Sequence, residues 1–459
     1  MTARINQSDL ESLRNGLAGR ILVPGDGEYA EARIIYNAMI SSKPSVIAQC
    51  AEASDVVRAV KFARDVGLEV AVRGGGHGVL GHASAEGSLV IDLRRMNAVS
   101  VDPAARVAVV AGGATAAELD RATGEHGLAT TGPRGSTVGV CGFALGGGNG
   151  WLDRKFGLAC DNLISAELVM ADGAIIHASK NEHPELFWAL HGGGGNFGVV
   201  TSITLRLHVL SSTTAVLLLW APEAAPDVLR AYRDFMESAP DEVGGGALYL
   251  TAPDLEVVPK HLIGKLTLAV LVVYAGAEAE AREAAAAMLG LRHEGELIAE
   301  MPYADIQSMF DDPPEYRNYW SATSLKAMPD EAIDLICAAA CDMLVPSASV
   351  NLIFPQGGAV GREQGGYPVP WRHASWVVHP FCQWRDPADD EGVRRWAQDI
   401  PEKLQPWSID SVSLNYVGDA GEDRIRASFG QDNYVKLARL KAQYDPKNVF
   451  RRNHNIKPA

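Results

Sequence analysis

Glycine placement constrains this chain more than any other feature. Three glycine clusters stand in its first half: "VRGGGHGVLG" (Val72 to Gly81), "GFALGGGNG" (Gly142 to Gly150) and "HGGGGNFGVV" (His191 to Val200). The first and third each spell G-x-G-x-x-G, at Gly76, Gly78, Gly81 and at Gly193, Gly195, Gly198. In a doubly wound dinucleotide fold that motif joins a strand to a helix, whose N-terminus faces the pyrophosphate. Here a loop and then "SLVIDL" follow the first cluster, and the period-two run "VVTSITLRL" follows the third. Both runs read as strands. No helix dipole is offered to a phosphate, which disfavours a nicotinamide dehydrogenase of that fold. Two readings of the glycines remain. They make tight turns, or they let bare main-chain N–H groups approach a large ligand. Three clusters in one region favour a bound dinucleotide.

The chain has 459 residues, more than one ordinary core holds, so two domains are expected. Short strands and helices alternate up to about residue 207. Ser54 to Val66 reads as a helix capped by Ser54, striped by Val56, Val57, Val60, Ala63 and Val66, and ended by Gly67. Strands are expected at Glu69–Val72, Ser88–Leu93, Val99–Val101 and Val107–Ala111. Thr115 and Glu118 match a capping box, and Asp172-Gly173 a hairpin turn. From 208 to 411 the pattern changes. Strand-like runs such as "LTLAVLVVYAG" alternate with Ala-rich helical runs, as in a separate α+β layer. A helix is expected from Asn433 to near Pro446.

Net charge is −15, from 56 acidic and 41 basic residues, which argues against a nucleic-acid partner. No run approaches the roughly 18 apolar residues of a membrane span, and no signal-peptide pattern opens the chain. No membrane partner and a cytoplasmic location are therefore expected. Six cysteines without a C-x-x-C do not make a disulfide framework. Cys337 and Cys341, four apart, read as small residues on a buried helix face. His77 and His82 lie in a glycine loop rather than on a helix, and no metal site is expected.

Four stretches carry a resemblance: "VRGGGHG", "VGVCGFALGGGNGWLDRKFGLACDNLISAELVMADG", "HPELFWALHGGGGNFGVVTSITLRL" and "YDPKNVFRRNHNI". The chain resembles the vanillyl-alcohol oxidase / p-cresol methylhydroxylase type of FAD-linked oxidases, in the berberine-bridge-enzyme-like branch. The resemblance implies an α+β fold: a two-subdomain FAD-binding domain (1–207), a substrate domain with an antiparallel sheet covered by helices (208–411), and a tail (412–459) returning to the first domain. It implies a covalent bond between His77 and the flavin. A neutral imidazole is a competent nucleophile. Cofactor contacts are expected at Arg73, Gly74, Gly75, Gly76, Gly78, His82, Gly139, Cys141, Gly142, Gly146, Gly150, Val199, Asn453 and Asn455.

Two departures stand out. Some members attach FAD a second time through a cysteine, where this chain has Gly135 in "RGSTVG". Cys141 lies six residues on, up to about 20 Å of extended chain, so a single attachment is expected. His191 stands where many members have arginine, losing a forked charged donor.

The resemblance also singles out Tyr416 in "SLNYVGD" as a catalytic residue beside the flavin, with Asn415 on the substrate side. A free tyrosine titrates near 10, so base action near neutrality needs a coupled partner. "YRNYW" and "YPVPWRHASW" line a pocket or fill a core. The expected activity is oxidation of a small alcohol, amine or phenol, with hydride passing to flavin N5 and O2 as acceptor. A flavin dehydrogenase with another acceptor, and a flavin-binding protein without turnover, are the alternatives. Substrate identity and oligomeric state are not readable.

Overall fold

The computed structural model describes residues 5–309, 311, 315–362, 365–418 and 420–459. Among them, Val46–Gln49, Leu89–Asp92 and Val70–Arg73 pair in parallel, and Arg20–Leu22 adds an antiparallel edge. Parallel strands are covered on both faces and read as unbroken apolar runs. The helix Ala53–Val66 supplies one cover, packing Val56, Ala59, Val60 and Ala63 against Val46, Ala48, Val70 and Leu89. Gly67 ends it at φ 74°. Its cap differs from expectation: Glu52 is the N-cap and Ser54 lies in the first turn. The carboxylate of Asp55 instead collects the N–H groups of Ala18, Gly19 and Ala51.

The second sheet is antiparallel, in the order Val99–Asp102, Val107–Ala111, Val199–Arg206, Leu163–Val169, Ile175–Ser179. The run after Gly198 is thus a central strand, and no helix follows that glycine motif. Thr115 and Glu118 form the expected capping box. Gly173, at φ 87°, closes the expected hairpin.

The third region is an antiparallel sheet in the order Gly295–Met301, Thr213–Trp220, Leu266–Tyr274, Val243–Thr251, Val350–Pro355, Trp376–Trp384, Arg317–Trp320. Successive side chains point to opposite faces. Ala247, Tyr249, Ile353, Trp376 and Val378 meet the helices Ala225–Ser238 and Asp330–Ala340. Leu248, Val350, Leu352, His379 and Phe381 face the other way, into a cavity. Cys341 corrects an expectation: it is exposed at the C-cap, and Cys337 is only half-buried, because the helix ends at Ala340.

The tail helices Glu422–Phe429 and Gln431–Tyr444 bury Ile425, Phe429, Leu437 and Leu440 in the core of the second sheet. From this allocation of strands and helices we propose a division near 207 and 411. No helix among the described residues is long and apolar enough to cross a membrane.

Candidate active site

A cavity of about 600 Å³ lies between the glycine loops and the open face of the large sheet. Its first wall is main chain. A Cβ on Gly75 would fall 2.3 Å from the nitrogen of Gly139, and one on Gly139 2.4 Å from the nitrogen of Gly75. The two loops therefore cross in direct backbone contact that only glycine permits. His77 projects from this crossing. Its Nε2 lies 2.8 Å from Thr137 Oγ1, and its ring stacks on Tyr36 at 4.1 Å and 24°. Burial pushes its imidazole down to about 4, so it is neutral near pH 7.

The second wall carries the polar chemistry. Arg134 Nη1 donates to Tyr416 Oη at 2.9 Å, and Nη2 donates to Gly150 O at 3.2 Å. Asp153 stands 3.8 Å behind it, and its guanidinium lies over the Phe354 ring at 4.3 Å. Burial raises the Tyr416 phenol above its usual range, and Arg134 opposes that rise. The His379 ring sits 4.6 Å from the Tyr416 ring. Its Nδ1 donates to Ser321 O at 2.7 Å, which leaves Nε2 as the acceptor. Burial holds His379 down at about 4. Trp320 and Phe381, stacked at 4.6 Å, complete an apolar wall.

Residues 44–179 match the FAD binding domain family, and residues 403–457 match the family described as berberine and berberine like. The (R)-6-hydroxynicotine oxidase of Paenarthrobacter nicotinovorans is 30% identical, with 96% of this chain and 97% of that protein aligned. The chain belongs to the berberine-bridge-like family of FAD-linked oxidoreductases. The solved 6-hydroxy-D-nicotine oxidase of Arthrobacter nicotinovorans superposes with a TM-score of 0.86 at 28% identity, covering 96% of this chain and 98% of that one. The xylooligosaccharide oxidase of Myceliophthora thermophila shares the fold, with a TM-score of 0.85 at 21% identity over 98% and 99% of the two chains.

As a berberine-bridge-like protein the chain is an FAD-dependent oxidoreductase, and the cavity fits that cofactor. Arg452 Nε and Asn453 Oδ1, both on the cavity wall, are buried with no partner in the protein, as expected of groups awaiting a polar ligand. The bare glycine stretches 74–76 and 194–195 offer main-chain donors along the same cavity, and Arg452 adds a cation. His82 and His454 meet edge to face at 5.3 Å and are held down at about 3 and about 4, chiefly by burial. They are neutral hydrogen-bonding groups there.

The cavity gathers Gly74, Gly75, Gly76, His77, Gly78, His82, Gly139, Cys141, Gly142, Gly146, Asn415, Tyr416 and Asn453 from the expected set. Four others do not line it. Arg73 turns away to donate to Ala32 O at 2.6 Å and to Ile34 O, which pins the segment beneath the loop. A Cβ on Gly150 would fall 1.9 Å from Gly132 O, so this glycine serves chain packing. Val199 is fully buried in the parallel-sheet core; strand alternation puts Val200 in the wall instead. Asn455 lies just beyond Asn453 and His454.

Cys141 Sγ points to Ala111 O at 3.7 Å, and burial pushes its thiol up to about 12. His191 is fully buried, stacked on Tyr367 at 3.7 Å and bonded to Phe187 O, and does not line the cavity. Of the aromatic runs, Trp320 reaches the cavity, while Tyr367, Trp371 and Trp376 fill cores. Asp419 of the "SLNYVGD" stretch is outside the described residues. Sequence reasoning missed Arg134, His379 and Tyr36. Arg134 stands inside "RGSTVG", but only folding brings it to a residue 282 positions away.

Proposed function

We propose that the cavity holds FAD bonded through His77 alone, and that the enzyme oxidises a small, largely apolar alcohol, amine or phenol with dioxygen as acceptor. The observation that carries this reading is a juxtaposition: one cavity has the His77 loop on one wall and the Arg134–Tyr416 pair on the other. When bound, the flavin supplies the acceptor for hydride and electrons.

The protein's own groups divide the remaining work. In the tautomer in which Thr137 accepts from Nε2–H of His77, Nδ1 is the nucleophilic nitrogen. Burial keeps the ring neutral, so its lone pair is available near pH 7. Trp320, Phe381, Leu248 and Leu352 exclude water and suit an apolar substrate body. Tyr416 handles the substrate proton. Its phenol gives up its own proton before acting as base, and the Arg134 hydrogen bond favours that ionised form. Asn415, anchored by donation to Phe143 O at 3.1 Å, presents an amide on the substrate side. All six cysteines are free, which supports a reducing compartment and hence the cytoplasm.

The test is an absorption spectrum of the acid-precipitated, washed protein with mass mapping of its tryptic peptides. FAD mass on the His77 peptide alone is the expected result. Flavin released wholly to the supernatant rejects the bond, and an added flavin mass at Cys141 rejects single attachment. Hydrogen peroxide formed with substrate supports dioxygen as acceptor; turnover only with an added dye rejects it.

A further inference from the structure

The residues that hold His77 do not all come from its own loop. Tyr36 and Asn37 lie in the connection between the helix Tyr29–Ala32 and the strand Val46–Gln49. The N–H of Tyr36 donates to Gly76 O at 3.3 Å, and its ring stacks on His77. Tyr36 Oη accepts from Gln383 Nε2 at 2.7 Å, across 347 positions of sequence. Asn37 Nδ2 donates to Val79 O at 2.8 Å and to Asn318 O at 3.0 Å, while Asn37 Oδ1 accepts from Asn318 N. Asn318 and Gln383 are register partners on neighbouring strands of the large sheet. One dipeptide thus staples the histidine loop to one rung of the substrate-side sheet. Gln383 and Asn37 are buried, so these bonds are shielded from water.

Bond formation at an imidazole nitrogen needs the in-plane lone pair aimed at the carbon. The Tyr36 stack fixes the ring plane, and Thr137 fixes rotation within that plane. We propose that Tyr36, clamped by Gln383, is a positioning residue for attachment of the flavin at His77, so that docking of the large sheet controls the modification. This rests on the single-attachment reading above. The step balances as follows. A bond forms between His77 Nδ1 and the flavin methyl carbon. One proton leaves the imidazole and one the methyl group. The two electrons released go to dioxygen, which takes up both protons as hydrogen peroxide.

The experiment follows flavin attachment in wild type, Y36F, Y36L, Q383L and T137V. Protein from riboflavin-starved cells is given FAD in air. Total flavin per chain and the acid-stable fraction are measured over time, alongside thermal melting. Y36F keeps the stack and loses the Gln383 bond. Y36F and Q383L are expected to bind FAD fully yet attach it about tenfold more slowly, and Y36L and T137V more slowly still, since small misplacements of reacting groups cost rates of that order. Attachment at the wild-type rate in Y36F and Q383L overturns the proposal. So does parallel loss of total FAD and melting temperature with an unchanged attachment rate, which marks a purely structural role. A wild type that never attaches flavin overturns the His77 reading itself, and this proposal with it.

Discussion

Arg134 donates to the phenol oxygen of Tyr416 across 2.9 Å, joining the glycine-rich half of the chain to its tail. Burial and this cation pull the phenol in opposite directions, with burial the larger. If the phenolate is the base, kcat rises with pH as Tyr416 loses its proton, and the rise extends above the ordinary tyrosine range. Arg134→Gln removes the stabilising charge and moves that limb to still higher pH, lowering kcat at pH 8. Tyr416→Phe lowers kcat about a hundredfold or more, the range for loss of a general base. Stopped-flow flavin reduction across pH checks both. An unchanged pH limb in Arg134→Gln would sink the coupling.

Lys441 and Asp445 meet at 2.7 Å with both side chains fully enclosed. Lys441 also donates to Asn196 O at 2.5 Å and Phe450 O at 2.9 Å, and Asp445 accepts from the N–H groups of Val449 and Phe450. The pair therefore anchors two stretches of the cavity wall. Lys441→Met leaves a buried carboxylate without its charge partner, a change that costs about 3–5 kcal/mol. Urea denaturation should show that loss, together with faster release of any flavin that is not bonded.

Five histidines away from the flavin link, at 82, 191, 208, 379 and 454, are held by burial at about 3 to about 4. In the unfolded chain each takes a proton near 6.5. The unfolded state binds more protons between those values, so stability is fully present above about pH 6.5 and falls as pH drops toward 4. Thermal melting from pH 7.5 to 4.5 should decline steeply, and calorimetry should show proton uptake on unfolding.

Asp120 has the opposite sign. Burial beside Tyr303 and Gln307 pushes its carboxyl up to about 7, and its Oδ2 lacks a partner. A raised folded value means stability falls as pH rises from about 4 to 7 and stays reduced above. Asp120→Asn should melt higher than wild type at pH 8 and lose that advantage at pH 5. Melting scans at the two pH values decide it.

Cys141 lines the cavity with a protonated, poorly nucleophilic thiol. Cys141→Ala should retain the full acid-stable flavin signal. In unfolded wild-type protein Cys141 should alkylate completely, as read by peptide mass. Incomplete alkylation at that peptide would reopen a second attachment.

Much of the local structure was determined by the sequence itself. The capping box at Thr115, the turn at Gly173 and the strand after Gly198 depend on neighbours a few residues away, and each formed where its residues indicated. The glycine clusters announced a large ligand because backbone contact needs missing side chains. Family resemblance singled out Tyr416 and His77, and both line the cavity. Tertiary structure alone decided the partners. The strand Trp376–Trp384 alternates in any fold, but the helices packed on Trp376 and Val378 are what turn His379 and Phe381 toward the cavity. Arg134 meets Tyr416, and Gln383 meets Tyr36, only because sheets distant in sequence are pressed together by burial of their apolar faces. That force is non-directional and acts on whole faces, so no local pattern could name the pairs it creates.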